Sequence, residues 1–168
     1  MQRKLVVNGL LIGRFQPFHK GHLAAVNFCL SKVENLWIGI GSSNKSNEKK
    51  NPFTADERKE MILSSLDSDI LKRVKIYFIP DIGDHEKWTH HVDSIVPKYD
   101  VVFSNDDFTT NLYKKRGINV IEVPMLQRDK ISGTNIREMI ASENNWSELV
   151  PEGTKKLLLK INAKARLS

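Results

Sequence analysis

Cysteine is nearly absent: Cys29 stands alone in 168 residues, so no intrachain disulfide can form and the fold must rest on an apolar core. Cys29 falls in an apolar, helix-periodic segment and reads as a small core residue in a reducing compartment. There is no signal segment and no apolar run long enough to span a bilayer, so a cytoplasmic protein with no membrane partner is expected. Both common glycine-rich phosphate cradles are missing as well. No G-x-x-x-x-G-K-[ST] occurs, and the first apolar run is not followed by G-x-G-x-x-G, which excludes a P-loop and a standard dinucleotide cradle. Acidic residues are in deficit, 20 Asp and Glu against 26 Lys and Arg, for a net charge of +6. Most of that excess follows Pro151, where Lys155, Lys156, Lys160, Lys164 and Arg166 face only Glu152. Such a tail is either a solvated helix face or a patch for nucleic acid.

The remaining composition is that of an ordinary globular chain, 40% hydrophobic and 27% charged, sized for one domain over residues 1–168. Periodicity predicts strands at 9–12, 35–41, 74–79, 101–103 and 118–123, each bounded by glycine, proline or polar loops. Between them it predicts helices at 23–33, from Thr54, at 88–96 and at 109–115. The second opens on a capping box, Thr54-Ala-Asp-Glu57, and continues through Met61, Ile62 and Leu66. Three further helical segments follow, from about Thr134, near 146–149 and from Pro151. Strands alternating with helices give an α/β fold, a Rossmann-like doubly wound parallel sheet of about five strands with a C-terminal helical segment. Ligands of such sheets bind beyond the carboxyl ends of the strands. The charged loops 13–22, 42–51, 81–88, 104–107 and 125–134 all fall there.

The first of these loops carries the strongest signal. After the run Leu10-Leu11-Ile12, the chain breaks at Gly13 into a turn holding Arg14, His19, Lys20 and His22, and a helix follows at once. A helix N-terminus presents unpaired N–H groups and the positive end of the macrodipole, so this construction binds anions. His19-x-x-His22 is also the spacing of half a zinc site, and the plainest reading of the two is as turn and N-cap polar residues. His85-Glu86 and His90, which superficially look like a zincin helix, miss the shared helical face by one position. No metal-ligating residue is therefore assigned.

Gly13-Arg-Phe-Gln-Pro-Phe-His-Lys-Gly-His22 resembles the signature of the HxGH nucleotidylyltransferase superfamily, in the form found in archaeal-type nicotinamide mononucleotide (NMN) adenylyltransferases. Ile131-Ser132-Gly133-Thr134-Asn135-Ile136-Arg137 is similar to that superfamily's second motif, I-S-x-T-x-x-R. Pro52-Phe-Thr-Ala-Asp-Glu-Arg58, and Arg128-Asp129 ahead of the second motif, extend the likeness from Gly9 to about Val150.

The resemblance implies transfer of AMP from ATP to NMN, giving NAD and pyrophosphate by direct in-line displacement without a covalent enzyme intermediate. Such a reaction needs charge neutralisation and alignment more than a base, because the attacking phosphate is already ionised. Carried onto this chain, it makes His19, His22 and Arg137 the catalytic donors. Gly13, Arg14, Phe15, Lys20, Gly21, Arg128, Ser132 and Thr134 would surround the triphosphate. Asp81 and Trp88 would hold the nicotinamide nucleotide, with Lys50 where relatives often carry arginine. Mg²⁺ bridging phosphate oxygens is the expected cofactor, ATP and NMN the expected partners, and a homo-oligomer, for example a hexamer, the expected assembly. A related acceptor such as phosphopantetheine or a flavin nucleotide is the alternative. A basic RNA-binding module is a third reading, which leaves both phosphate motifs without a purpose.

Overall fold

The computed structural model describes residues 6–124, 127 and 130–167. Its centre is β1 (Val6–Gly13), paired on one side with β2 (Val33–Gly41) and on the other with β4 (Val101–Ser104). Addition of β3 (Val74–Ile79) and β5 (Val120–Glu122) completes a five-stranded, all-parallel sheet in the order β3-β2-β1-β4-β5. Parallel neighbours need crossovers. These are α1 (Lys20–Leu30), α2 (Ala55–Ser65) with α3 (Ser68–Leu71), α4 (Trp88–Ile95) and α5 (Asp107–Lys115). The chain closes with α6 (Gly133–Ala141), a 3₁₀ turn at Ser147–Leu149, α7 (Glu152–Lys160) and α8 (Ala163–Leu167). The α/β class and the five-stranded parallel sheet are those expected from the alternation of elements.

Side-chain alternation along β1 divides the interior in two. Leu10 packs with Trp37, Val92, Val102 and Tyr113 under α4 and α5. Leu11 packs with Val26, Ile38, Phe103 and Ile136 under α1, α2 and the C-terminal helices. Each such burial stabilises by about 1.5–3 kcal/mol, and together they hold the sheet as a rigid floor. Strand order reverses between β1 and β4, so a crevice opens where their carboxyl ends diverge.

Element ends differ from expectation for local reasons. The helix expected over 23–33 starts at Lys20 and stops at Leu30, and Val33 instead begins β2. Val33 is fully buried, and one apolar residue satisfies a helix face and an inward strand position equally well. Ile118 stays in the turn after α5, its N–H bonded to the Tyr113 carbonyl, which shortens the last strand. The final helix breaks at Asn162, whose φ of 53° is left-handed, and α8 turns back onto α6. Leu157 and Leu158 go into the core while Leu159 is exposed. Among the described residues no helix is long and apolar enough to cross a membrane.

Candidate active site

At the end of β1 the chain turns through Phe15, whose φ of 55° is left-handed and whose ring is buried. A Cβ on Gly13 would lie 2.9 Å from Phe15 Cζ, so the glycine makes room for that ring. The ring in turn meets His22 edge-on at 4.8 Å between centroids. His19 caps α1 in a capping box made of two histidines. Its backbone N–H donates to His22 Nδ1 at 3.1 Å, and the His22 N–H donates to His19 Nδ1 at 3.3 Å. The imidazoles stack, centroids 3.6 Å apart. A Cβ on Gly21 would lie 2.9 Å from His19 Cε1, so this glycine exists to admit the stack.

The reciprocal cap decides the chemistry of both rings. A nitrogen that accepts an N–H bond has no proton, so each neutral imidazole carries its proton on Nε2. Burial pushes His19 down to about 4, and burial with the neighbouring His19 pushes His22 well below the ordinary histidine value. Near pH 7 both are therefore neutral Nε2–H donors. With Nδ1 bonded to the backbone and Nε2 protonated, neither offers a lone pair to a metal, which removes the zinc reading of His19-x-x-His22.

The opposite wall is the N-terminus of α6. Ser132 caps it by accepting the Asn135 N–H at 3.1 Å. Arg137 is buried and donates through Nη1 to the Gln16 carbonyl at 2.7 Å and through Nη2 to Thr134 Oγ1 at 3.4 Å. Burial lowers its pKa, as does the charge of Arg14. Gly133 leaves space for the guanidinium, since a Cβ there would lie 2.8 Å from Arg137 Nη1. Arg14, His19, His22, Asn105, Ser132 and Arg137 are among the residues lining one cavity of about 420 Å³.

A second cavity of about 590 Å³ opens beside it, lined by Lys45, Asp81, His85, Trp88 and Phe108 among others. Arg14, Asn105 and Asp106 belong to both. Asp81 accepts from Ser42 Oγ at 3.0 Å and pairs with Lys45 Nζ at 3.4 Å.

Of the residues expected from sequence, the first cavity gathers Arg14, Phe15, His19, Gly21, His22, Ser132 and Arg137. Gly13, Asp81 and Trp88 line the second. Thr134 stands behind Arg137, and Lys20 is exposed on the first turn of α1; neither lines either of these cavities. Arg128 lies outside the described residues. Lys50 is exposed and lines neither cavity. The next residue, Asn51, is turned inward, accepting from Arg14 Nη1 at 3.3 Å, while Lys50 points outward; the lysine of this loop that meets Asp81 is Lys45.

Three supporting residues escaped the sequence reading. Gln16 clasps Phe53 in both directions, donating to its carbonyl at 3.2 Å and accepting its N–H at 3.0 Å. Arg58 is fully buried and donates to the carbonyls of Thr54, Arg14, Gly41, Ser42 and Lys45 at 2.9–3.2 Å. Burial and nearby Arg14 lower it to about 10, so it stays charged and adds positive potential under the site. A cation on the helical face shared with Met61 and Ile62 was the available signal. Phe108, 53% exposed, meets His85 edge-on at 5.2 Å on the rim of the second cavity.

A cytidylyltransferase-like family model matches residues 10–139. A curated nicotinamide-nucleotide adenylyltransferase of Saccharolobus solfataricus is 43% identical over 162 residues, 95% of this chain and 94% of the relative. One from Thermococcus sibiricus is 39% identical over 163 residues, 96% of this chain and 88% of the relative. The chain belongs to the nicotinamide-nucleotide adenylyltransferase family. Its fold is also that of a bifunctional NMN adenylyltransferase/ADP-ribose pyrophosphatase of Francisella tularensis, solved with AMP and a manganese ion. The TM-score is 0.75 at 21% identity, covering 96% of this chain and 51% of that one. The chain thus spans about half the length of that larger protein. The family membership expected from the two motifs stands.

Proposed function

We propose that this chain transfers the adenylyl group of ATP to nicotinamide mononucleotide, producing NAD and pyrophosphate. The observation that carries the reading is a pair of helix N-termini, those of α1 and α6, lining one cavity that joins a second, aromatic-lined one at Arg14, Asn105 and Asp106. The triphosphate suits the first cavity. His19 and His22 offer Nε2–H on one wall, Arg137 a guanidinium on the other, and the backbone N–H groups of both helix starts add to them. The mononucleotide suits the second, where Trp88 supplies an aromatic face and Asp81 a carboxylate already oriented by Ser42 and Lys45.

The reaction is then one of alignment. An oxygen of the acceptor's 5′-phosphate attacks the α-phosphorus, the bond from that phosphorus to the bridging oxygen breaks, and pyrophosphate leaves with the electron pair. No general base is needed, and donors that are neutral at rest and fixed by their caps stabilise the developing charge without reorganising. Among the described residues no group of three or more His, Cys, Asp or Glu could hold a metal ion. Mg²⁺ needs few protein ligands when the substrate is a polyphosphate, so it fits such a site, and it would neutralise phosphate charge there. The basic tail is partly engaged internally, Arg166 with Glu57 and Lys164 with Glu143, which takes away support for an RNA-binding surface.

Incubation with ATP, Mg²⁺ and NMN should yield NAD with stoichiometric pyrophosphate. Pyrophosphate release with phosphopantetheine or a flavin nucleotide, and none with NMN, would overturn the acceptor assignment. The family resemblance also supports a homo-oligomer, which sedimentation velocity measures.

A further inference from the structure

The basic C-terminal segment lines neither cavity, yet one of its residues reaches the start of α2. Arg166 of α8 grips Glu57 with both guanidinium nitrogens, at 2.5 and 2.7 Å, and donates to the Pro52 carbonyl at 3.3 Å. The two side chains are only 26% and 17% exposed, so this planar fork is shielded from competing water. Burial pushes the Glu57 carboxyl up, yet hydrogen bonds from Arg166 and Thr54 outweigh it and hold the group below its ordinary value.

Beyond the fork, hydrogen bonds and a short stretch of main chain connect Glu57 to Arg137. Glu57 Oε1 accepts the Thr54 N–H at 2.9 Å, closing the box that starts α2. Pro52 and Thr54 flank Phe53, which is fully buried and clasped in both directions by Gln16. The Gln16 carbonyl takes Arg137 Nη1 at 2.7 Å. That bond is the short one of the two that orient Arg137, the other being the 3.4 Å contact to Thr134. A guanidinium has five N–H donors, so those it does not spend on Gln16 and Thr134 stay available for a phosphate, provided that Gln16 stays in place. A second branch starts next to Glu57, where Arg58 ties the carbonyls of Arg14 and Gly41.

We propose that Arg166 is a positioning residue for adenylyl transfer: by clamping Glu57 and Pro52 it fixes residues 52–54, through which Gln16 holds Arg137 against the triphosphate. The inference rests on the adenylyltransferase reading of the site. Positioning errors of this kind lower turnover more than substrate affinity, because they act where alignment matters most.

The test uses the full chain with Arg166→Met and Arg166→Lys. Arg166→Met should lower kcat about tenfold while the KM for NMN stays within about twofold, and should shift the Arg137 guanidinium resonance in ¹⁵N-arginine-labelled protein. Arg166→Lys, which keeps the charge and one contact, should recover most of the rate. Unchanged kcat in Arg166→Met overturns the proposal. So does a loss that only follows a lowered Tm and is not relieved by lysine. Should the wild-type chain transfer AMP to no acceptor, the function reading fails by itself. The Arg137 resonance then decides the clamp: a shift supports it, and an unmoved resonance overturns it.

Discussion

The two cavities differ in how their walls are held. On the side proposed for the triphosphate, His19 and Arg137 are buried, His22 is half-buried, and all three are fixed by backbone: His19 and His22 cap each other through main-chain N–H groups, and Arg137 leans on the Gln16 carbonyl. On the acceptor side Lys45 and Asp81 stand on loops, each more than two-fifths open to solvent, and Phe108 of α5 sits exposed on the rim. The contrast follows the chemistry each side is assigned. Charge develops on the phosphates, where a preorganised donor is worth most, whereas the nucleotide acceptor has to enter through a surface that can adapt.

The sharpest way to break this contrast is to remove a fixed donor. His19→Ala should lower kcat by about 10³-fold with the circular dichroism of a folded protein, losing about 1 kcal/mol of stability with its cap. Activity near wild type in this variant would end the assignment of a phosphate donor to His19.

Stability against pH probes the same wall. The folded pKa of His19 lies near 4, below the 6.5 of an unperturbed histidine, so below 6.5 the unfolded chain takes up a proton that the folded one refuses. Its contribution is complete above pH 6.5 and is lost as pH falls toward 4, by about 3 kcal/mol, with His22 acting in the same direction. Urea unfolding at about pH 7.5, 5.5 and 4.5 measures this, and His19→Gln should flatten the profile.

Gly21→Ala tests whether the glycine serves the imidazole stack. The added Cβ would sit 2.9 Å from His19 Cε1. We expect kcat to fall about 10²-fold, less than on deleting the ring, with a KM for NMN that stays level.

The smallest effect belongs to the adaptable side. Lys45→Ala should raise the KM for NMN a few-fold, roughly 2- to 5-fold, and Lys50→Ala should leave it unchanged, since exposed pairs contribute little. Equal effects from the two lysines would erase the distinction drawn from Asn51 and Asp81.

What was legible in advance was mostly what is local or repeated. Thr54 and Glu57 face each other because they are three positions apart, and the same spacing joins His19 and His22. The histidine pair reads as anion donors, half a metal site or N-cap residues; what stays hidden is that the cap is reciprocal, because histidine seldom caps a helix. Lys50 was assigned from its alignment with an arginine position, but which lysine of a curled loop faces inward depends on a neighbour, Asn51, and its partner Arg14. Arg58 lay in a recognised motif without a role, because its five acceptors are main-chain carbonyls, which have no residue identity to read.

By itself the sequence determined the α/β class, the strand–turn–helix anion site after β1, its counterpart at the start of α6, and the family to which both motifs belong. The class and the first site follow from periodicity and local spacing, which act over a few residues, and the counterpart and the family follow from the resemblance of two short motifs. Only the tertiary structure decided that the two helix starts line one cavity, that both histidines are neutral Nε2–H donors, and that Arg166 reaches Glu57 across 109 positions. Such pairings depend on strand order and on how each helix packs on the sheet, and no local pattern encodes the distance between residues that folding brings together.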